Sequence, residues 1–329
     1  MNIENNLLMF IDQLNKVNYR KNIFYESSQD EHFLLGNYAV DYIISHRQKF
    51  IDYFNSTDKL QIKKFIGIVA EYSTKTIIET IFKLNQYAEI TDKLRNRMNN
   101  LYRNFMETIF NRLSSNQAIG LNWLNGLVIE HQVQLREILN DIDELKIFPK
   151  EKKIVDEIPC SEYRAVFQLD ILGINIEKMC EPVLDIGCGS SARLVQYLRE
   201  QGIETYGIDR NVEEKPYVIE IDWFNFKLKP NYWGTIISHL SFTNHFKRTH
   251  FKMNGNYINY ARRYLELLNS LKSGGSFFYT PDLPFVEQFL SPDLYLVNKK
   301  NIGKERLNFV KSENDFSIYS VQVKKTNND

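Results

Sequence analysis

A strand, a glycine turn and a helix follow one another in the centre of this 329-residue chain. The apolar segment Val183–Ile186 reads as the strand, Gly187 and Gly189 form the turn, and residues 192–200 read as the helix. The next strand-like segment, Thr205–Asp209, ends in an acid about 20 residues after the turn. Glycines let the backbone approach a ligand with no Cβ in the way, and a carboxylate at that spacing can bind two ribose hydroxyls. The pattern predicts an α/β sheet with half a site for an adenosine-containing cofactor.

Two cofactor classes compete for this turn, because it also satisfies the G-x-G-x-x-A pattern of NAD-binding folds. Asp185 separates them, since its carboxylate would repel a pyrophosphate but hold an α-ammonium group. The motif resembles the class I methyltransferases that use S-adenosyl-L-methionine (SAM). Their first motif is an acid followed by x-G-x-G, and their second is an acid closing the next strand. Asp185, Gly187, Gly189 and Asp209 match, while Ser191 stands where a third glycine is often found. The resemblance implies SAM as cofactor and S-adenosyl-L-homocysteine (SAH) as product.

The resemblance continues over roughly residues 160–325. Asp222 and Trp223 match the family's third motif, in which an acid takes the adenine amino group and an apolar neighbour lies against the ring. We therefore expect a doubly wound, mostly parallel, seven-stranded Rossmann-like sheet with a C-terminal β-hairpin. Further segments read as the fourth strand, an amphipathic helix, the fifth strand and the two hairpin strands; they are residues 235–238, 257–271, 274–279, 295–297 and 317–323.

The first half of the chain is a different kind of domain. All eight prolines occur at Pro149 or later, and apolar residues before that point recur at helical spacing. Turn-like breaks near residues 27–30, 55–58 and 114–116 divide it into about four or five helices. The proline-marked polar run after Phe148 predicts an all-helical domain over 1–148 and a SAM-binding domain over 149–329. The helical domain could serve as a lid, a substrate-binding module or a homodimer surface. Its clearest apolar stripes are Leu94, Met98, Leu101, Phe105 and Ile109, and Val128, His131, Leu135, Ile138, Ile142 and Leu145.

Composition narrows the classes of partner. Forty-one basic and forty-one acidic residues cancel, so no global field recruits nucleic acid or an anionic membrane. No apolar run reaches the roughly 18 residues of a spanning helix, and the N-terminus lacks the positive charge of a signal peptide. Three cysteines without metal-ligand spacing suit a reducing compartment. We expect a cytoplasmic protein.

The reacting centre should follow the fourth strand, because ligands of doubly wound sheets bind beyond the carboxyl ends of the strands. Residues 238–246 fall there, with Ser238 a candidate cofactor contact and His239 and His245 candidate general bases. A neutral imidazole titrating near pH 6.5 could take a proton from an attacking hydroxyl or amine. Two alternatives remain, a metal cluster and a purely structural role, although no acid is interspersed to complete a metal-ligand set.

Three residues outside that segment are further candidates. Arg164 opens a helix that in this family often lies over the methionine end of SAM, where it could pair with the carboxylate or remain a surface charge. Tyr279 and Asp282, around the end of the fifth strand, could make polar contacts with a methyl acceptor.

The function that follows is methyl transfer from SAM to an N or O nucleophile of a small molecule or metabolite. No metal is required, because the sulfonium is already activated and alignment supplies most of the acceleration. Three alternatives remain: a SAM-dependent aminocarboxypropyl transferase, an RNA methyltransferase, and a SAM-binding scaffold without catalysis.

Overall fold

The computed structural model describes residues 3–25, 35–115, 120–146, 148, 150–155, 163–252, 255–302 and 318–327. The chain divides into two compact units, Met1–Cys160 and Ser161–Asp329. Within the described ranges, no helix is both long and apolar enough to cross a membrane.

The division between the units falls later than the boundary expected after Phe148. Residues 150–155 pair with the start of the chain instead of joining the second unit. The main-chain N–H of Asn22 donates to the Lys153 carbonyl at 2.9 Å, and the N–H of Val155 donates to the Arg20 carbonyl at 2.8 Å. The charged run therefore belongs to the helical unit, because its backbone groups find their partners there.

The first unit is mainly helical in its described residues, with an isolated β-bridge between Lys21 and Ile154. The helices are α1 (Ile3–Asn18), α2 (Leu35–Ser45), α3 (Arg47–Ser56), α4 (Lys59–Leu84), α5 (Asp92–Ser114) and α6 (Leu121–Leu139), followed by the 3₁₀ turn Asp143–Leu145.

Local signals explain where these helices begin. The Asp58 side chain accepts the main-chain N–H groups at the start of α4, and Thr91 caps α5 in the same way. The break expected at 55–58 thus separates α3 from α4, whereas residues 27–30 and 116 lie outside the described residues. The predicted apolar stripe after Val128 runs past the end of α6, and Ile142 and Leu145 are buried beyond it.

The second unit is a sheet with helices. Its strands are β1 (Val183–Ile186), β2 (Thr205–Asp209), β3 (Val218–Glu220), β4 (Trp233–His239), β5 (Leu271–Thr280), β6 (Tyr295–Ile302) and β7 (Ile318–Lys325). Its helices are α7 (Ala165–Leu172), α8 (Arg193–Glu200), α9 (Phe242–Phe251), α10 (Tyr257–Ser270) and the short α11 (Pro284–Glu287).

The sheet has the order β3-β2-β1-β4-β5-β7-β6 within the described chain. Strands β1 to β5 pair in parallel, whereas β7 runs antiparallel to both β5 and β6. This confirms the expected mostly parallel sheet, the helix after the fourth strand and the C-terminal hairpin. The strand read as 274–279 extends back to Leu271, with an irregularity in its pairing where Trp233 and Thr235 meet it.

The central strands of this sheet are buried because helices pack against it. All residues of β1 are buried, as are all of β4 except its last, because helices pack on a parallel sheet. Parallel pairing also brings the carboxyl ends of β1, β2 and β4 to one edge, and the predicted site residues follow these ends.

Candidate functional site

The glycine turn after β1 adopts a conformation that side chains disfavour. Gly187 has a φ of 72° and Gly189 a φ of 76°, both in the left-handed region. The Gly187 N–H donates to the Ile208 carbonyl at 2.8 Å, which ties the turn to β2. A Cβ at position 187 would lie 2.5 Å from the Ser241 Cβ. Glycine is therefore required here both by φ and by the close approach of a neighbouring loop.

Asp185 lies at this edge with its carboxyl group out of water. The residue is 2% exposed. In the part of the chain that the structure describes, no group donates a hydrogen bond to its carboxylate. Burial, together with the nearby Asp209 carboxylate, raises the pKa of Asp185 to about 7. A buried carboxyl group without a donor is costly, and a cationic ligand would relieve that cost.

Asp209, at the end of β2, is anchored to the glycine turn. Its Oδ2 accepts the N–H of Gly189 at 3.0 Å, and its Oδ1 accepts the N–H of Asn211 at 3.0 Å. Burial raises the pKa of Asp209, while these two main-chain donors counteract that shift. The hydrogen bonds fix the orientation of the carboxylate beside the turn.

Asp222 and Trp223 follow β3 and take different positions. The Asp222 Oδ1 accepts the N–H of Phe224 at 2.8 Å, which orders the loop. Trp223 is 8% exposed, and its Cζ3 would be 3.5 Å from a Cβ at Gly187. Its buried Nε1 has no hydrogen-bond partner in the described ranges. The indole thus forms an apolar wall beside the turn.

The loop after β4 closes over the same turn. Ser238 is fully buried, and its hydroxyl lies 2.9 Å from that of Ser241. The Ser241 hydroxyl donates to the Ile186 carbonyl at 2.5 Å. Leu240 between them has a φ of 52°, so the chain turns sharply there. Ser238 orders this loop through its side chain, and Ser241 is a site residue that sequence reasoning missed. The only available signal was a second serine three positions after the first.

The two candidate histidines lie on different sides of this loop. His239 ends β4, and its ring centroid is 5.0 Å from that of Tyr163 and 6.4 Å from that of Phe167. His245 lies on α9 with its ring centroid 5.1 Å from that of Trp223. His239 therefore faces the aromatic residues around the start of α7, while His245 belongs to the wall beside the glycine turn.

Burial changes the chemistry expected of both imidazoles. Desolvation lowers the pKa of His239 to about 4. Desolvation, with Arg210 and Arg248 nearby, lowers the pKa of His245 to about 3. The expectation of a group titrating near 6.5 is therefore wrong for both residues. Each is neutral at pH 7 and able to accept a hydrogen bond, but each is a weaker base than an exposed histidine.

Of the three remaining candidates, Arg164 is exposed, whereas Tyr279 and Asp282 already bond to other side chains of the protein. Arg164 caps α7 and is exposed, directly after the Tyr163 that contacts His239. Tyr279 is fully buried, and its hydroxyl bonds to Tyr264 at 2.9 Å and to Glu287 at 2.8 Å. Asp282 is paired with Lys247 at 3.2 Å and with Lys299 at 3.6 Å. The expectation of an acceptor contact is wrong for Tyr279, because its hydroxyl is used inside the core.

The structure brings two buried carboxylates, a left-handed glycine turn and an indole wall together at one edge of the sheet. Two acidic groups interact there, because the Asp209 carboxylate contributes to the raised pKa of Asp185. This arrangement can hold a group that combines a cation with hydroxyl donors. Among the described residues, no cluster of histidine, cysteine or acidic side chains could hold a metal ion.

Comparison with known proteins found similarity only at the level of structure. No protein-family model matches the sequence, and no curated protein sequence matches it. The 1,6-didemethyltoxoflavin-N1-methyltransferase of Burkholderia thailandensis, solved with its substrate and SAH, aligns at 14% identity and TM-score 0.33, covering 50% of this chain and 76% of that one. A SAM-dependent methyltransferase from Thermotoga maritima aligns at 13% identity and TM-score 0.29, over 50% and 90%. One from Methanosarcina mazei aligns at 12% identity and TM-score 0.28, over 44% and 91%.

The strand order identifies the fold independently of these alignments. Five parallel strands in the order 3-2-1-4-5 carry a glycine turn after β1 and an acid at the end of β2. An antiparallel strand then inserts between the fifth and sixth strands. The described residues of Ser161–Asp329 therefore have a doubly wound, Rossmann-like fold with a C-terminal β-hairpin.

Proposed function

We propose that the chain is a SAM-dependent methyltransferase that acts on an N or O nucleophile of a small molecule. The observation that carries this proposal is the Asp185 carboxyl group, which is buried and lacks a hydrogen-bond donor among the described residues. An α-ammonium group bound there would supply both the missing donor and the missing positive charge. NAD carries a pyrophosphate at the corresponding turn and offers no such group.

Asp209, Asp222 and Trp223 fit the adenosine portion of the cofactor. The Asp209 carboxylate is oriented by two main-chain donors and keeps lone pairs for ribose hydroxyls. Trp223 offers an apolar face beside the turn, and the exposed loop of Asp222 can receive the adenine amino group. Gly187 lets the Ser241 and Trp223 side chains lie directly against the turn.

Residues on the other side of the loop after β4 are our candidates for contacts with the methionine end of SAM and with the methyl acceptor. Bound SAM supplies a methyl group that is already activated by its sulfonium. His239 stays neutral at pH 7 and can accept a proton or a hydrogen bond from the acceptor. Arg164, exposed at the start of α7, is our candidate for the cofactor carboxylate. Ser238 acts through Ser241 in holding the loop, and His245 supports Trp223.

Calorimetry on the full chain tests the cofactor. We expect binding of SAM and SAH and none of NAD. Asp209→Ala should weaken SAH binding by about 1.5–3 kcal/mol, because a charge-assisted ribose contact is lost. Asp293→Ala, at an exposed position of the same unit, is the matched control and should bind as wild type. Binding of NAD without any response to SAM or SAH would overturn the proposal.

Product identification tests the reaction class. The chain is incubated with SAM and a panel of small phenols, alcohols and amines, and the nucleoside product is identified by mass spectrometry. SAH supports methyl transfer, whereas 5′-methylthioadenosine indicates an aminocarboxypropyl transferase. A scaffold would bind SAM and yield neither product. An RNA methyltransferase would bind RNA with a steep salt dependence, which the balanced charge argues against.

A further inference from the structure

The core of the helical unit contains a cavity of about 230 Å³. Its lining residues all belong to Met1–Cys160, and most of the apolar ones come from two clusters of buried side chains. Leu7, Phe54 and Val128 represent one cluster, and Phe24, Ile81 and Leu139 the other. The cavity therefore separates the two halves of what would otherwise be one continuous core.

A pocket of this size between core side chains is unusual for a protein interior. Cores are packed as densely as organic crystals and contain few voids larger than a water molecule. An apolar cavity of roughly 150 Å³ already binds benzene. The cavity of the helical unit is thus large enough for a bicyclic aromatic molecule or one of similar volume.

Several polar side chains line the cavity without partners. Among the described residues, the buried Tyr42 hydroxyl, His131 Nδ1 and Gln132 Nε2 have no hydrogen-bond partner. The His131 ring lies between aromatic neighbours, with its centroid 5.0 Å from that of Tyr102 and 4.6 Å from that of Phe105. Buried polar groups are normally paired, so these three mark places where a ligand could form hydrogen bonds.

The same groups are uncharged at neutral pH. Burial lowers the pKa of His131 to about 4 and raises the pKa of Tyr102 and of Tyr42. The cation lining the cavity is Lys21, whose Nζ donates to the Asn18 side chain at 3.1 Å. Burial and the nearby Lys153 lower the pKa of Lys21. The cavity suits a neutral molecule better than an ion.

We propose that the helical unit binds an uncharged, largely apolar small molecule carrying a hydroxyl or carbonyl group in this cavity. Its apolar body would fill the space between the two clusters, and its polar group would form a hydrogen bond with the unpaired groups of Tyr42, His131 or Gln132. This site is distinct from the proposed cofactor site, and it does not depend on SAM being the cofactor.

The test uses 2-naphthol, which is neutral at pH 7, and 2-naphthoate, which is an anion of similar shape. Binding to the full chain is followed by fluorescence at pH 7 with excess SAH present, so that the nucleoside site does not compete. We expect saturable binding of 2-naphthol and at least tenfold weaker binding of 2-naphthoate. Absence of 2-naphthol binding, or equal affinity for both compounds, would overturn the proposal.

Two sets of variants locate the binding. Ser73→Phe places a ring in the cavity and should abolish 2-naphthol binding, whereas Thr108→Phe, at an exposed position of α5, should not. The double variant Tyr42→Phe, His131→Leu keeps the volume but removes polar groups, so 2-naphthol should bind roughly three- to tenfold more weakly.

Naphthalene, which has no hydroxyl, should bind that double variant as it binds wild type. Tyr72→Phe is the matched control, because the Tyr72 hydroxyl is outside the cavity and donates to Asp12 at 2.7 Å. The proposal fails if 2-naphthol binding is unchanged in both Ser73→Phe and the double variant. Circular dichroism of each variant confirms that the helical unit is folded.

Discussion

The charge state of Asp185 should control how tightly the protein binds SAH. Its carboxyl group has a pKa of about 7 in the free protein, because it is buried beside Asp209. Only the ionised form can pair with the α-ammonium of the ligand. Binding therefore favours deprotonation, and affinity should rise with pH through this pKa.

The size of the effect follows from the ionised fraction. With a pKa of about 7, the carboxyl group is roughly 9% ionised at pH 6 and roughly 91% ionised at pH 8. The association constant for SAH should therefore increase about tenfold over this range. SAH is preferred to SAM for this measurement because it lacks the sulfonium charge.

Titration calorimetry at several pH values between 6 and 8 checks this prediction. Asp185→Asn should bind SAH about 10- to 100-fold more weakly at pH 8 and lose most of the pH dependence. 5′-Methylthioadenosine, which has no amino acid portion, is the matched ligand and should bind wild type almost independently of pH. An SAH affinity that is flat in wild type, or an unchanged slope in Asp185→Asn, would refute this account of Asp185.

Three further predictions concern the same edge of the sheet. Without ligand, Asp185→Asn should raise the free energy of unfolding in urea at pH 8 by roughly 1–4 kcal/mol, because the raised pKa of Asp185 makes wild-type stability fall from about pH 4 to pH 7. A less stable variant would contradict this sign. Gly187→Ala should lose SAH binding and cost about 1–3 kcal/mol in thermal unfolding. Gly202→Ala, with a φ of 82° and open space around it, should cost less and bind SAH normally. Once an acceptor is known, His239→Asn should lower kcat at least tenfold while His245→Asn mainly weakens cofactor binding. The wild-type rate should show no histidine titration between pH 6 and 8, since the pKa values are about 4 and about 3. Equal kcat losses in both variants would contradict the separate positions of the two rings.

Sequence reasoning recovered the parts of the fold whose signals are local. The apolar run of β1, the glycines after it and the acid closing β2 lie within one strand-turn-helix-strand unit, so their order predicts their geometry. The stripes of α5 and α6 were visible for the same reason, because helical periodicity is written in neighbouring residues. The C-terminal hairpin followed from the resemblance, and the structure shows it as β6 and β7.

Tertiary structure decided everything that depends on residues distant in the chain. The Ser241 hydroxyl donates a hydrogen bond to the Ile186 carbonyl, and the Tyr279 hydroxyl forms hydrogen bonds with Tyr264 and Glu287. No sequence pattern predicts these contacts. Helical periodicity likewise shows which face of a helix is buried, but not how closely the buried faces of different helices pack. The cavity of the helical unit therefore could not be predicted from the sequence. Burial by the folded chain also raises the pKa of Asp185 and lowers the pKa of His239. Desolvation depends on how completely residues from distant segments shield the side chain from water, and only the folded chain brings those residues together.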